Sequence, residues 1–272
     1  MADGWAAGLR PRILSAIVMA AVALVALGAG RPGFNLLVVA GAAILAWEWT
    51  RLCGGGRFGW TGVVQTVAAL AVVAAAILGE PWLGVLLGVG GIVGGYVAAR
   101  VSGRDHPRWI AAGVAYIGLP CMALIWLRAE PGGGSLILWL LLAVWATDIG
   151  AFFAGRLIGG PLLAPRLSPK KTWAGLAGGA VSAALIGLVL PSFDAHTPPG
   201  LTLALAGVIV AVTAQAGDLG ESWVKRRFGV KDASQLIPGH GGLFDRVDGL
   251  LAAALVLALW HWFTGGAVLT WR

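Results

Sequence analysis

The stretch GSLILWLLLAVWATDIGAFFAG, residues 134–155, contains 22 residues and a single charged one, Asp148. A helix rises about 1.5 Å per residue, so about 20 apolar residues cross the roughly 30 Å hydrocarbon core of a bilayer. The stretch is longer than a strand of a membrane barrel and does not alternate between apolar and polar residues. It therefore predicts a transmembrane helix.

Eight further apolar runs of similar length extend this pattern along the chain. The nine runs cover 12–29, 34–50, 62–79, 82–99, 109–127, 134–155, 173–191, 200–217 and 249–265. Of the 272 residues, 58% are hydrophobic and only 11% are charged, whereas soluble domains carry about 25% charged residues. This composition excludes a water-soluble globule and a disordered chain. We predict an all-α, polytopic transmembrane helical bundle of about nine helices.

The first run follows Arg10 and Arg12 and could be taken for a signal peptide, but the eight runs behind it favour a retained span. If all nine runs cross the membrane, sixteen Lys and Arg residues lie on the side of the N-terminus. Only Arg31, Arg128 and Arg272 lie on the other side. The positive-inside rule then predicts a cytoplasmic N-terminus in the cell (inner) membrane. The charged residues that give the net charge of +7 lie in short connectors between the apolar runs. This distribution indicates contact with anionic lipid headgroups rather than binding of nucleic acid.

The polar residues divide the chain into two regions. Residues 1–130 hold about five of the predicted helices, and 131–272 hold the rest with the two longest polar stretches, 156–172 and 218–248. Both stretches are predicted to be cytoplasmic, so we expect a C-terminal catalytic region. Glycine spacing in the fourth run (Gly90 with Gly94, Gly91 with Gly95) and at Gly175 with Gly179 predicts close helix packing, and the fourth run suggests a homodimer.

Two carboxylates lie inside apolar runs. Asp148 is about eight residues from the predicted cytoplasmic end of its run, a depth of roughly 12 Å. A carboxylate at that depth is costly and indicates a function, the alternative being a structural partner for a nearby Arg. Glu48 lies close to the end of its run, so we expect it to reach the interface or to pair with Arg51, and we assign it no role.

A second group of polar residues begins where the eighth run ends. Glu221, Ser222 and Lys225 follow Asp218 at i+3, i+4 and i+7 and share one face of a helix. A carboxylate, a hydroxyl and an ammonium on one face suit a metal–phosphate complex. The alternative is a solvated helix with a simple Glu221–Lys225 ion pair.

The stretch RLSPKKTWAG, residues 166–175, precedes the seventh run. We expect Ser168-Pro169 to start a turn. The sequence leaves open whether Lys170 and Lys171 bind phosphate or only set the topology.

The stretch KDASQLIPGHGGLFDRVDG, residues 231–249, combines turn residues with acids. Pro238 and Gly239 interrupt any helix, while Gly241 and Gly242 allow the backbone to approach a ligand and offer N–H groups to phosphate. The stretch ends with two acids and an arginine at the start of the ninth run: Asp245, Arg246 and Asp248. Helix capping alone would explain one acid there, but not this combination.

Residues 222–248, SWVKRRFGVKDASQLIPGHGGLFDRVD, resemble the signature of the phosphatidate cytidylyltransferase (CDP-diacylglycerol synthase) family. That signature is a Ser, then Lys-Arg, a Lys-Asp pair, and His-Gly-Gly followed by Asp-Arg-x-Asp. SPKKTWAG at 168–175 resembles a second landmark of the family, and Asp148 with the residues after it resembles a third. The resemblance covers roughly 145–250 by motif and the remainder by hydropathy only.

The resemblance implies that CTP and phosphatidic acid react to give CDP-diacylglycerol and pyrophosphate. Magnesium prefers carboxylates and substrate phosphates, so Asp218 and Asp245 are the leading ligands for Mg²⁺, with Asp148 and Asp248 as further candidates and a second metal ion as an option. The expected catalytic residues are Asp218, Asp245, Lys225 and Arg246. The expected substrate-binding residues are Ser168, Lys170, Lys171, Ser222, Arg226, Lys231, His240, Gly241 and Gly242.

Three other functions share some of these features. A CDP-alcohol phosphotransferase is excluded because Ala253 stands where its motif has an Arg and no Asp or Glu follows Asp248. A CTP-dependent lipid-alcohol kinase would also use CTP and a metal, but would transfer the γ-phosphoryl group. An ion-coupled transporter would use Asp148 and Asp218 to bind ions or substrate, although no repeat of the kind found in many transporters is evident.

Overall fold

The computed structural model describes residues 2–192, 198–237, 239 and 241–266, and the side chains of 2–12 and 192 are left undescribed. The described part of the chain contains nine α-helices. They are α1 (Ala2–Gly28), α2 (Gly30–Cys53), α3 (Gly59–Ile77), α4 (Pro81–Val101), α5 (Pro107–Ala129), α6 (Gly133–Leu157), α7 (Trp173–Val189), α8 (Gly200–Arg227) and α9 (Phe244–Phe263).

Each helix covers one of the predicted apolar runs. Seven of them, α2 to α6, α8 and α9, have 19 to 28 residues and are apolar enough to cross a membrane. The helix α7 and the apolar part of α1, Ile13–Gly28, are shorter. The prediction of an all-α, polytopic membrane protein is confirmed. The helix α8 continues past the predicted run to Arg227, which places the polar face of 218–225 on regular helix.

A small β-hairpin between α6 and α7 departs from the purely helical prediction. Its strands, β1 (Leu162–Ala164) and β2 (Ser168–Thr172), are antiparallel, with Ala164 opposite Ser168. The prediction that Ser168-Pro169 starts a turn is wrong, because Ser168 begins a strand. The turn comes earlier: the Leu167 amide donates to the Ala164 carbonyl over 3.1 Å, and Pro165 occupies the second turn position, which favours proline.

The chain folds into two compact units. Unit 1 consists of Met1–Ile125 and Arg227–Val247, and unit 2 of Trp126–Arg226 and Asp248–Arg272. The glycine-rich stretch after α8 thus belongs to unit 1. In the core of unit 1, Trp49 is buried, stacks on Tyr116 with 4.8 Å between ring centroids, and meets Phe244 edge-on at 5.7 Å.

Unit 2 is organised by a close contact between α6 and α7. A Cβ atom at Gly178 would lie 2.2 Å from the Ala154 Cβ, and one at Gly175 or Gly179 would lie 3.0 or 2.9 Å from carbonyl oxygens of α6. Side chains larger than hydrogen would therefore push the two helices apart. The predicted close packing at Gly175 and Gly179 is confirmed.

The glycines of α4 face in two directions. Within unit 1, a Cβ at Gly91 would lie 2.7 Å from the Ala68 Cβ, and one at Gly95 would lie 3.6 Å from the α5 backbone. A Cβ at Gly90 or Gly94 would meet nothing within 4 Å among the described residues. One glycine pair is therefore used for packing within the chain, as predicted.

Candidate active site

The helices α8 and α9 approach each other closely in unit 2, next to two of the predicted acids. A Cβ at Gly217 would lie 2.6 Å from the Ala252 Cβ and 2.9 Å from the Asp248 carbonyl oxygen. A Cβ at Gly249 would lie 3.3 Å from the Ala214 Cβ. Only small residues at this crossing allow the backbones so near. As a result Asp218 on α8 comes beside Asp248 on α9.

Three carboxylates converge at this crossing. Asp218, Glu221 and Asp248 each offer one oxygen, and these oxygens lie within 4.8 Å of one another. Asp218 and Asp248 were predicted as metal ligands and are brought together here. Glu221 was not predicted as a ligand. Its position one turn after Asp218 on the same face was the signal that could have identified it.

The separation of these oxygens fits a small divalent cation. Mg²⁺ binds oxygen at about 2.0–2.1 Å, so two ligands on opposite sides of the ion are about 4.2 Å apart. Shifts of a few tenths of an ångström would bring the three acids within that distance. Asp218, Glu221 and Asp248 could therefore hold a divalent ion that keeps some of its waters.

Lys171 places a positive charge on the same cluster. Its Nζ lies 2.7 Å from Asp218 Oδ2 and donates to the Gln215 carbonyl over 3.4 Å. Lys171 is carried by β2, whose last residue, Thr172, caps α7 by accepting the Gly175 amide at 3.0 Å. The hairpin therefore fixes the lysine relative to α8.

Glu221 and Lys225 form a second ion pair, one turn apart on α8. Glu221 Oε2 lies 2.5 Å from Lys225 Nζ, and the side chains are only 1% and 12% exposed. Ser222 donates its hydroxyl to Asp218 Oδ1 over 3.4 Å. The predicted common face of these residues is confirmed. The Glu221–Lys225 ion pair that we gave as the alternative is present, but it is buried rather than solvated.

A cavity of about 180 Å³ in unit 2 opens beside Lys171 and Asp218. Asp148 and Lys170 also line it, and both of these side chains are exposed. Its wall thus carries two lysines and two carboxylates from α6, β2 and α8. This arrangement can bind a phosphate group and a cation next to each other.

In unit 1, backbone amides of the glycine-rich stretch donate hydrogen bonds to Asp245. Asp245 Oδ2 accepts the Gly242 amide at 2.7 Å and the Ala233 amide at 3.0 Å. Gly241 has a φ of +82°, a conformation that glycine adopts readily, and its carbonyl accepts the Ile237 amide at 2.8 Å. The Gly242 N–H that we expected to meet phosphate is thus used inside the loop in this structure.

Several predicted residues lie near this loop or outside the described part. Lys231 and Arg246 are exposed residues of unit 1, and Arg226 is an exposed residue of unit 2. His240 and Pro238 fall outside the described residues. Asp245 belongs to unit 1, and its role as a metal ligand stays a prediction.

The burial and the hydrogen-bond partners of Glu48 differ clearly from those that we predicted. It is fully buried and accepts hydrogen bonds from Ser234 Oγ at 2.6 Å, the Leu243 amide at 2.9 Å and the Phe244 amide at 2.7 Å. The expectation that it reaches the interface or pairs with Arg51 is wrong. Arg51 instead lies over the Trp47 ring, 4.9 Å from its centroid.

Fold and site together define a multi-pass membrane protein with acids and lysines gathered at a helix crossing, an arrangement suited to phosphate compounds and a divalent cation. The sequence model of the cytidylyltransferase family matches residues 10–264. The chain belongs to this family.

Relatives of known name cover nearly the whole chain. A phosphatidate cytidylyltransferase of Brucella suis is 42% identical over 259 residues, with 92% of each chain covered. One from Pseudomonas aeruginosa is 36% identical over 270 residues, covering 94% of this chain and 98% of the relative. One from Haemophilus influenzae is 32% identical over 303 residues, covering 94% and 99%. The resemblance inferred from residues 222–248 is confirmed.

Proposed function

We propose that this protein is a phosphatidate cytidylyltransferase, which converts CTP and phosphatidic acid into CDP-diacylglycerol and pyrophosphate. The full-length similarity to enzymes of that name supports the reaction. Among the features of the structure, one carries the proposal: three carboxylates and Lys171 meet at the α8–α9 crossing, beside a cavity lined by two lysines.

The proposed reaction joins two anions. A phosphate oxygen of phosphatidic acid attacks the α-phosphorus of CTP, and the bond from that phosphorus to the bridging oxygen breaks as pyrophosphate leaves. A phosphate monoester is already ionised near neutral pH, so no general base is needed. The protein has to hold the two phosphates in line and balance their charge.

The lysines and other polar groups would bind the phosphates. Lys170 and Lys171 line the cavity, and Lys171 can exchange its contact with Asp218 for a substrate phosphate. We keep Lys225 and Arg246 as catalytic candidates that stabilise charge on the leaving group. The remaining candidates for substrate contacts are Ser168, Ser222, Arg226, Lys231, His240, Gly241 and Gly242.

Asp218, Glu221 and Asp248 would hold Mg²⁺, and Asp148 is a candidate to support it; Asp245 stays a metal-ligand candidate on the strength of the sequence, and a second metal ion is an option. When bound, the ion would screen the two anions and stabilise the charge that develops on pyrophosphate. Without it, Lys171 and Lys225 balance two of the three carboxylates. Metal binding should therefore be linked to a rearrangement of these two lysines.

We place the site at the cytoplasmic boundary of the inner membrane. The sixteen positive charges on one side of the predicted spans support this orientation. The substrates require the same location, because one is a lipid with its headgroup at the interface and the other is a soluble nucleotide. Homodimerisation through the open face of α4, at Gly90 and Gly94, remains our proposal from the sequence.

Product analysis tests the reaction. Purified protein in detergent micelles is incubated with Mg²⁺, with CTP labelled at either the α- or the γ-phosphorus, and with either phosphatidic acid or a polyisoprenoid alcohol. We expect the α-label in CDP-diacylglycerol and the γ-label in pyrophosphate. A γ-label in the lipid would instead show a lipid kinase, and an absence of turnover in micelles, where no sealed compartment exists, would favour a transporter.

A further inference from the structure

Glu48 connects α2 to a loop almost two hundred residues away in the chain. Its carboxylate is fully buried in unit 1 and accepts three hydrogen bonds, from Ser234, Leu243 and Phe244. A buried carboxylate is stable only when hydrogen bonds replace its water. The three short contacts supply that replacement and fix the side chain in one position.

The three donors come from two places along the chain. Ser234 lies within the loop that joins α8 to α9, while the Leu243 and Phe244 amides lie at the start of α9, where N–H groups have no partner within the helix. The positive end of a helix favours a negative group. Glu48 therefore caps α9 from another helix and also binds Ser234 in the loop before it.

Three consecutive backbone amides, those of residues 242–244, donate hydrogen bonds to two acids. Asp245 Oδ2 accepts the Gly242 amide, and Glu48 accepts the next two. A Cβ at Gly242 would lie 2.5 Å from Glu48 Oε1, so a larger residue would displace the carboxylate. The second glycine of the pair is therefore needed for the approach of Glu48.

We infer that Glu48 is a positioning residue of the active site: it fixes Ser234 and the Leu243–Phe244 backbone, next to the two amides that bind Asp245, and thereby sets the direction of the Asp245 carboxylate. This inference rests on the proposed function, in which Asp245 and the glycine-rich segment serve the reaction. Glu48 does not touch the reacting atoms. It acts through the loop that it holds.

A graded series of variants tests this role. Glu48→Gln keeps the shape of the side chain but loses one acceptor oxygen, Glu48→Met loses all three contacts, and Ser234→Ala removes one contact from the loop side. Glu80→Gln is the matched control, because Glu80 is an exposed acid of unit 1. For each purified variant, kcat, the KM for CTP, the Mg²⁺ concentration giving half-maximal rate, and Tm are measured.

Loss of a residue that orients a ligand group typically costs 10- to 100-fold in activity or metal affinity. We expect a fall of roughly 10-fold in kcat/KM for Glu48→Gln and a larger fall for Glu48→Met. The KM for CTP or the half-saturating Mg²⁺ concentration should rise in the folded protein, and Glu80→Gln should match the unaltered chain. Ser234→Ala should lower kcat/KM less, and its effect should not add to that of Glu48→Met, since Glu48→Met already lacks the Ser234 contact.

The alternative is a purely structural role. In that case Tm falls, but kcat, KM and Mg²⁺ dependence per folded molecule are unchanged in Glu48→Gln and Ser234→Ala, and the inference is overturned. If Glu48→Met does not fold, the other two variants still decide. Failure of the proposed function is distinct, because the unaltered protein would then form no CDP-diacylglycerol.

Discussion

Lys171 Nζ lies 2.7 Å from Asp218 Oδ2, so a lysine of the hairpin forms an ion pair with a carboxylate that we propose as a metal ligand. The lysine and a metal ion would compete for the same oxygen. In the proposed function, this competition would link the binding of the cation to the release of Lys171 toward a phosphate.

Replacing Lys171 by methionine should lower the Mg²⁺ concentration that gives half-maximal rate and raise the KM for CTP. Without the ammonium the cluster is more negative, so the half-saturating Mg²⁺ concentration should fall. The KM for CTP should rise, by about 10-fold if one charge-assisted contact is lost. Steady-state kinetics over a grid of Mg²⁺ and CTP concentrations measure both. Lys170→Met, which alters the same cavity wall, should raise the KM for CTP without lowering the Mg²⁺ requirement.

Asp218→Asn and Asp245→Asn test the two leading ligands. Each removes a negative charge while keeping the size of the side chain, and an asparagine oxygen at 245 can still accept the Gly242 and Ala233 amides. We expect kcat to fall by about two orders of magnitude or more in both, with Tm within a few degrees of the unaltered protein. Asp105→Asn, at an exposed acid of unit 1, is the control. A near-normal rate in either variant would remove that residue from the metal site.

The buried pair of Glu221 and Lys225 should show strong coupling in stability. Lys225→Met leaves the Glu221 carboxylate buried without its ammonium and should cost about 3–5 kcal/mol. The double variant Glu221→Gln, Lys225→Met removes both charges and should recover most of that loss. Thermal unfolding in detergent measures both effects. Activity should stay low in the double variant, because a carboxylate of the metal cluster is gone. Equal Tm values for the single and double variants would contradict this account.

The glycines between α6 and α7 offer a test of packing. Gly178→Ala places a methyl group 2.2 Å from the present position of the Ala154 Cβ, so the helices must separate and Tm should fall by several degrees, as for an overpacking cost of about 1–3 kcal/mol. Gly41→Ala, in the middle of α2, adds the same group where nothing described lies within 4 Å. Because alanine favours helix by up to about 1 kcal/mol over glycine, this control should keep or raise Tm. A fall in both variants would show that the methyl group itself, and not its neighbours, is harmful.

The helices and the common face of α8 could be predicted from the sequence. Hydropathy and helical period are local properties, so each apolar run and the spacing from Asp218 to Lys225 indicate structure without knowledge of distant residues. The hairpin was missed for a different reason. A strand of three residues carries too weak a pattern, although Pro165 marked the turn.

The partners of the acids required the tertiary structure. Glu221 looked like half of an exposed ion pair until α9 brought Asp248 beside it. Glu48 looked like an interfacial residue until the loop after α8 returned to α2.

Composition and residues close together along the chain were enough to predict a multi-pass helical membrane protein of the cytidylyltransferase family. Which carboxylates meet, and which lysines balance them, could be seen only in the folded chain. Those contacts depend on which helices cross at their glycines, and that is set by packing between segments far apart in sequence.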